Sequence, residues 1–135
     1  MTNDGAVQIW RASDIYFEYS GIECTGFVEI AYDNSRPIKH TKSTIKGVVG
    51  FDVTYREPSF QITMNGNSPE LTEISDMCEN EELGDFTYRA PNLLVKGYDC
   101  MLSTINPGRI AEKTPTVIIP GLALKISEKW GRQVA

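Results

Sequence analysis

Short segments in which apolar and polar residues alternate constrain the fold of this chain more than any other feature of its sequence. Two such segments lie within residues 47–56 and 60–65. Their apolar members are Phe51, Val53 and Tyr55 in the first and Phe60, Ile62 and Met64 in the second. Because the side chains of a strand point alternately to opposite faces, both segments predict strands with one face on a core and the other face polar. Glu57-Pro58 separates them, which predicts a close hairpin.

Most of the remaining chain also consists of short segments rich in aromatic and β-branched residues, as strands are. We predict further strands over residues 7–10, 15–19, 26–32, 86–90, 93–103, 117–119 and 122–130. The turn residues that separate the later ones are Pro91-Asn92, Asn106-Pro107-Gly108, Lys113-Thr114-Pro115 and Pro120-Gly121. This pattern predicts a mainly β fold, an antiparallel β-sandwich or barrel, with one short α-helix against it.

One segment changes to a helical period. Ser68 is a predicted N-cap and Pro69 a predicted first helical residue. The apolar residues that then recur at three- and four-residue spacing are Leu71, Ile74, Met77 and Cys78. They predict one buried stripe, while the acidic residues Glu70, Glu73, Asp76 and Glu79 are predicted to face outward. The helix is expected to stop near Asn80.

Length and charge exclude several classes of protein. A chain of 135 residues suits one domain, residues 1–135, in which the role of residues 1–20 is less defined. The net charge of −5 argues against a protein that grips nucleic-acid phosphates, because such proteins carry clustered cations. No apolar run approaches the roughly 20 residues of a membrane helix, and the N-terminus does not resemble a signal peptide. We therefore expect a protein that is made and folded in the cytoplasm.

The charges are separated along the chain. Residues 70–85 hold seven acidic residues and no basic one, whereas residues 36–46 hold four basic residues and His40 but no acidic one. Two solvated patches would explain this separation. Copies of the chain that stack head to tail, basic segment on acidic surface, would explain it as well. The polar segment 33–46 is long for a hairpin loop, and it is predicted either to be an exposed loop or to anchor on a neighbour through Ile38 and Ile45.

Catalytic and metal-binding patterns are absent from the sequence. His40 is the one histidine, in a segment that reads as solvated, and no close pair of cysteines suggests a zinc site. We therefore expect no enzyme activity and no cofactor. Cys24, Cys78 and Cys100 are predicted to be structural thiols, with disulfides between subunits as the alternative.

The order of elements resembles the tail tube proteins of contractile-tailed bacteriophages and, more distantly, the tube-forming proteins of type VI secretion. A strand over residues 26–32 precedes a long polar loop, and two strands follow over residues 47–56 and 60–65. A short helix opened by Ser68 comes next, and the last strand ends near Trp130. The resemblance covers roughly residues 22–132.

The resemblance implies hexameric rings whose sheets join edge to edge around a lumen, and rings that stack into a tube through which DNA passes without specific binding. By position, the inter-ring stacking residues would be Arg36, Ile38, Lys39, Lys42, Ile45 and Lys46. The lumen-facing candidates, chosen by alternation, are Glu29, Asp52, Thr54, Gln61 and Thr63. The candidates for contact with a sheath or a neighbouring subunit are Glu70, Glu73, Asp76 and Glu79.

The implied partners are copies of the chain, a tail sheath protein, and tape measure and baseplate proteins, in a virion tail assembled in the host cytoplasm. Arg56 and Lys96 depart from the expectation of a purely negative lumen. Two alternatives stay open. One is another β-sandwich virion component, such as a tail terminator, a head-completion protein or a capsid-decorating protein. The other is a small enzyme or a ligand-binding barrel.

Overall fold

The computed structural model describes residues 9–107 and 114–131. In this part of the chain a short 3-10 turn, eleven strands and one α-helix follow one another. The strands are β1 (Tyr16–Tyr19), β2 (Ile22–Glu23), β3 (Phe27–Asp33), β4 (Ile38–Ser43), β5 (Gly47–Val53), β6 (Ser59–Asn65), β7 (Leu83–Ala90), β8 (Leu93–Leu102), β9 (Asn106–Pro107), β10 (Thr116–Leu122) and β11 (Lys125–Trp130). The 3-10 turn covers Ala12–Asp14, and the helix α1 covers Leu71–Glu79 between β6 and β7.

The strands form one large sheet and one separate hairpin. The large sheet runs in the order β2-β1-β7-β8-β10-β6-β3, with β11 paired to β8 and β9 paired to β10. β4 and β5 pair only with each other within the described residues. All these pairs are antiparallel. The prediction of a mainly β, antiparallel fold with one short α-helix is confirmed.

The last strands join the two halves of the sheet. β10 pairs with β6 along its whole length and reaches β8 through its last two residues, Gly121 and Leu122. β11 then continues along β8 in the same register and ends with Trp130 opposite Leu93. Pro120-Gly121 lies inside β10 rather than between two strands, so the predicted break there is wrong; the chain bends at residues 123–124 instead.

The core lies where the sheet folds over itself. Phe17 of β1 stacks on Phe27 of β3 with ring centroids 4.5 Å apart, although these strands lie far apart in the sheet order. Phe86 of β7 similarly packs at 4.9 Å on Phe60 of β6. Gly97 of β8 leaves room for that ring, because a Cβ at this position would overlap Phe86. The two halves of the sheet therefore share one aromatic core.

The helix has the predicted faces but a later start. Ile74 is buried and the other apolar residues of the stripe, among them Leu71 and Met77, pack against the core, as predicted. The helix ends at Glu79, also as predicted. Ser68 does not cap it, because its hydroxyl donates to the carbonyl of Asn65 at 2.7 Å and the first helical residue is Leu71. Ser68 is buried against Gly26, where a Cβ would overlap it.

The predicted hairpin of residues 47–56 and 60–65 is wrong. β5 pairs with β4, and β6 pairs with β3 and β10. Phe51, Val53 and Tyr55 are accordingly exposed by 68%, 53% and 94% instead of facing the core. The residues that follow Tyr55 form no tight turn, and the carbonyl of Pro58 accepts a hydrogen bond from the distant amide of Ala123.

Three further expectations change. The segment predicted as a long polar loop contains β4, which pairs with β5 through backbone hydrogen bonds despite its lysines. Asn106-Pro107, predicted as a turn, forms β9 against β10. A strand is predicted over residues 7–10, but Ile9 and Trp10 are not part of any strand in the structure, and residues 7–8 lie outside the described residues. Gly108 and Lys113 of the predicted turns also lie outside the described residues.

Candidate functional site

A projecting hairpin is the most distinctive surface of the molecule. β4 and β5 meet at a turn in which the Ser43 hydroxyl accepts hydrogen bonds from the amides of Ile45 and Lys46, at 3.2 and 3.3 Å. Gly47 follows with φ of +74°, a conformation that glycine adopts without strain. At the other end, the amide of Thr54 donates to the carbonyl of Pro37 at 3.1 Å and closes the base of the hairpin.

The two faces of the hairpin differ in chemistry. Residues directly opposite in an antiparallel pair share a face, so the register places Ile38 with Val53 and His40 with Phe51 on one face. The rings of His40 and Phe51 lie 5.3 Å apart. We call this the apolar face; Val48 and Val49 extend it near the turn. The opposite, polar face carries Lys39, Thr41 and Asp52. On this face the Thr41 hydroxyl donates a hydrogen bond of 2.8 Å to the Asp52 carboxylate.

The structure brings five of the six predicted stacking residues onto this hairpin, and the sixth, Arg36, lies just before it. Ile38, Lys39 and Lys42 lie in β4, Ile45 and Lys46 lie in the turn, and Arg36 precedes β4. All six are exposed. They do not share one surface, because Ile38 belongs to the apolar face and Lys39 to the polar face.

The five predicted lumen residues divide between two surfaces. Glu29 lies opposite Thr63 and Ala31 opposite Gln61, all on the outer face of the β3–β6 pair. Asp52 lies on the polar face of the hairpin, and Thr54 lies at its base. Alternation identified the polar side of β3 and β6 correctly, but it could not show that β5 belongs to another sheet.

Of the four predicted acidic contact residues, three form an exposed face of α1 and one does not. Glu73, Asp76 and Glu79 are exposed. Glu70 is half-buried and accepts hydrogen bonds from the hydroxyl and the amide of Thr25, at 2.6 and 3.0 Å. Burial by itself raises the pKa of Glu70, but the two hydrogen bonds from Thr25 outweigh it and lower the pKa below its ordinary value. Glu70 thus ties α1 to the segment before β3.

The cysteines are free thiols in the body of the protein. Cys24 and Cys100 are buried and Cys78 is half-buried. Burial, reinforced by the nearby Glu70, raises the pKa of Cys24 to about 12. Burial, with Asp85 nearby, raises the pKa of Cys100 to about 12 as well. Both thiols therefore stay protonated and unreactive at neutral pH, as the prediction of structural thiols requires.

An exposed apolar groove beside the base of the hairpin was not predicted. We define this basal groove by Pro58, Leu83, Met101, Leu122, Ala123 and Leu124. Its volume is about 720 Å³, and Leu122 and Leu124 are 66% and 77% exposed. Its residues come from four distant segments, so no local pattern indicates it. The one feature of the sequence that could have indicated the groove is the small Ala123 between two leucines. In the structure Ala123 is buried and both leucines are exposed.

Residues for metal chemistry or membrane insertion do not come together in the described residues. Residues 9–107 and 114–131 contain no group of three or more His, Cys, Asp or Glu side chains that could hold a metal ion. Within the same residues, no helix has the length and the apolar character needed to cross a membrane. The hairpin, the outer face of β3 and β6, the acidic face of α1 and the basal groove are therefore the surfaces that remain as functional candidates.

No protein-family model and no curated protein sequence matches the chain. Solved structures share its fold despite low sequence identity. A chain of the sheath–tube complex of an extracellular contractile injection system (PVC) in the extended state has a TM-score of 0.68 at 8% identity, over 89% of this chain and 90% of that one.

Two further structures extend the similarity. A chain of the PVC sheath/tube terminator in the extended state has a TM-score of 0.72 at 10% identity, over 92% of this chain and 98% of that one. The tail tube protein of SPP1 has a TM-score of 0.65 at 10% identity, over 91% of this chain and 80% of that one. The order of elements predicted this resemblance, and the chain has the tail-tube fold.

Proposed function

We propose that the chain is a non-enzymatic structural subunit of a phage-type tail, and that hexameric rings of it stack into a tube. The observation that carries this proposal is the exposed apolar face of the hairpin, in a molecule with the tail-tube fold. An amphipathic two-stranded hairpin is marginally stable alone in water. A contiguous exposed apolar surface of this kind marks a site of contact with another molecule.

The sheet has two ends that can join copies into a ring. β3 ends the strand order on one side and β2, beside β1, ends it on the other. Exposed strand edges carry unpaired backbone groups and are templates for pairing with another chain. Pairing between copies would close six sheets around a lumen and remove these edges.

The outer face of β3 and β6 is the proposed lumen wall, because it carries carboxylate, amide and hydroxyl groups. Glu29, Gln61 and Thr63 supply them, with Asp52 and Thr54 added from the hairpin. Such groups repel phosphate or bind it weakly, so DNA would pass without being held. Lys96 lies opposite Thr87 and Ser127, on the outer face of the other half of the sheet, which keeps this cation apart from the proposed wall.

The acidic face of α1 is the proposed contact for a sheath protein. Glu73, Asp76 and Glu79 are exposed, and no cation lies between residues 70 and 85 to neutralise them. A partner with a basic surface would fit this face. Baseplate and tape measure proteins are the further proposed partners, in a virion tail assembled in the host cytoplasm.

Negative-stain microscopy of the purified protein at high concentration, over a range of salt, tests the proposal. Rings and tubes are expected, and a particle that stays monomeric under every condition would contradict it. Rings that never lengthen would favour a tube terminator instead. A matched variant replaces residues 38–53 by Asn-Gly, since Pro37 and Thr54 are already hydrogen-bonded across the base and this dipeptide suits a tight turn. It is expected to fold and not to form tubes.

A further inference from the structure

The basal groove is an exposed apolar surface with an acidic surround. Leu83, Met101, Leu122 and Leu124 leave 42–77% of their surface in water. Glu57 and Asp99 also line the groove, together with the cation Arg56, so its charged lining carries one net negative charge (two carboxylates less one guanidinium). Leu83 stands in a segment, residues 81–85, that has three acidic residues and no basic one. A ligand for this surface should therefore be apolar where it enters the groove and cationic where it leaves it.

The hairpin of the same chain has that chemistry. Its apolar face presents Ile38, Phe51 and Val53, each more than half exposed. Residues 36–53 hold four cations and one anion, and Lys42 lies on the apolar face itself near the turn. Phe51 and Val53 are two residues apart in one strand, about 7 Å, so both can enter one groove. A groove of about 720 Å³ lies within the size range of sites that enclose groups larger than a single side chain.

The hairpin does not cover the groove of its own chain. Both surfaces are exposed in the same structure, and the groove lies beside the hairpin's base, at residues 56–59, rather than beside its apolar face. An occupant from another copy is therefore the arrangement that satisfies both surfaces.

We propose that the apolar face of the hairpin docks into the basal groove of a second copy of the chain. This rests on the proposed function, and it names the contact that joins the subunits. It also assigns the acceptor, which is the groove and its acidic surround rather than the acidic face of α1. Because the donor and the acceptor are different surfaces, the contact is heterologous, and every copy added offers a free hairpin or groove for the next.

Disulfide trapping between two single variants tests the contact directly. The background carries Cys78→Ser, because Cys24 and Cys100 are buried and Cys78 is the accessible native thiol. Phe51→Cys is mixed with Leu124→Cys under mild oxidation, and the product is read on a non-reducing gel. A disulfide requires the two Cα atoms to come within about 7 Å. A cross-linked dimer is expected, whereas Asp52→Cys, the next residue on the polar face, should lose the cross-link to Leu124→Cys.

Complementation tests the direction of the contact. Phe51→Asp removes the donor and Leu124→Asp removes the acceptor, and both positions are exposed, so both variants should stay folded by circular dichroism. Each alone should fail to form tubes. A mixture should give a pair in which the intact hairpin of the Leu124→Asp chain fills the intact groove of the Phe51→Asp chain. The matched control is Thr41→Val on the polar face, which should still assemble.

The outcomes separate this contact from the proposed function. If the unaltered chain forms tubes, two results would overturn the contact and leave the tube function in place. One is cross-linking to Leu124→Cys that is as strong from Asp52→Cys as from Phe51→Cys. The other is the formation of tubes by Leu124→Asp. The specific cross-link in a protein that never forms rings or tubes would support the contact and contradict the tube function. A double variant that carries both Phe51→Cys and Leu124→Cys in one chain completes the test. If its disulfide forms only within that chain, the contact is overturned, because the groove would then hold the chain's own hairpin.

Discussion

β6 and β5 have the same alternating sequence pattern and opposite burial. Ile62 and Met64 in β6 are almost wholly buried, whereas Phe51 and Val53 in β5 are mostly exposed. Both patterns correctly predict a strand with one apolar face. The difference is the partner, since β6 lies between β3 and β10 over the core, and β5 pairs only with β4 among the described residues. Alternation thus indicates a surface made for contact without indicating which chain supplies the contact.

This difference separates folding energy from assembly energy. Apolar side chains contribute to the free energy of folding in proportion to the area that they remove from water. The body of the protein gains this contribution within one chain. The hairpin gains it only when another molecule covers its apolar face, so its substitutions should change assembly and leave the stability of the single subunit almost unaltered.

The largest expected effect contrasts two phenylalanines. Phe86 packs on Phe60 and Phe17 and is fully buried. Phe86→Ala should lower the free energy of unfolding by about 3–5 kcal/mol, through lost burial and the cavity left behind. Phe51→Ala should change it by less than about 0.5 kcal/mol. Urea denaturation at a concentration where the chain is monomeric measures both, and losses of similar size would break the contrast.

Two glycines give the next effect. A Cβ on Gly97 would overlap the Phe86 ring, whereas a Cβ on Gly50 in β5 would meet nothing within 4 Å. Gly97→Ala should cost about 2–3 kcal/mol, because the buried ring has little space to move. Gly50→Ala should be neutral or slightly stabilising, since its φ lies outside the left-handed region. Thermal denaturation compares them, and a neutral Gly97→Ala would show that the core is loosely packed.

The sequence predicts those parts of the fold that depend on local periodicity. The stripe of Leu71, Ile74 and Met77 needs only helical spacing, and β6 and β8 need only strand-forming residues with turn residues between them. β4 escaped prediction because Lys39 and Lys42 make it read as a polar loop, and its pairing with β5 depends on backbone hydrogen bonds that no side-chain pattern specifies.

The candidate site was predicted unevenly for a similar reason. The six predicted stacking residues lie within one segment, residues 36–46, so five of them fall together on the hairpin and Arg36 directly precedes it. The basal groove unites Pro58, Leu83, Met101 and Leu124, which only the folded sheet brings together. The sequence predicts Leu122 and Leu124 in one strand and therefore on one face, but it does not show that this face is the exposed one and that Ala123 is the buried residue.

Raising the pH above neutral should lower the free energy of unfolding through groups in the body of the protein and not through the hairpin. The folded protein raises the pKa of Cys24 and of Cys100 from 9.0 to about 12 by burial, so it keeps both thiols protonated. Their contribution to stability is complete below about pH 9 and is lost as the pH rises towards 12, because the unfolded chain releases these protons first. Between pH 8 and pH 9.5 the free energy of unfolding should fall by about 1.5 kcal/mol from these two thiols together.

Urea denaturation at several pH values measures this slope. The double variant Cys24→Ala and Cys100→Ala should be less stable at pH 8 but should show a flatter slope. The variant in which Asn-Gly replaces residues 38–53 should keep the full slope, since the hairpin has no cysteine. An unchanged slope in the cysteine variant would assign the alkaline effect to other groups.

The smallest expected effect compares one type of hydrogen bond in the two regions. The Thr25 hydroxyl donates to the half-buried Glu70, and the Thr41 hydroxyl donates to the exposed Asp52 on the hairpin. Water replaces the donor more easily at the exposed carboxylate. Thr25→Val should therefore cost about 0.5–1 kcal/mol at neutral pH, and Thr41→Val less than about 0.3 kcal/mol.

Acid separates the two variants further. The hydrogen bonds from Thr25 lower the pKa of Glu70, so their stabilisation is present above the ordinary pKa of 4.5 and is lost as the pH falls through the lowered value. The cost of Thr25→Val should therefore shrink when urea denaturation is repeated at about pH 3. A cost that stays constant between pH 7 and pH 3 would mean that Thr25 acts through packing rather than through the Glu70 carboxylate. In that case the contribution of the Thr25 hydroxyl would not depend on the charge of Glu70, while the hydrogen bond from the Thr25 amide stays in place in this variant.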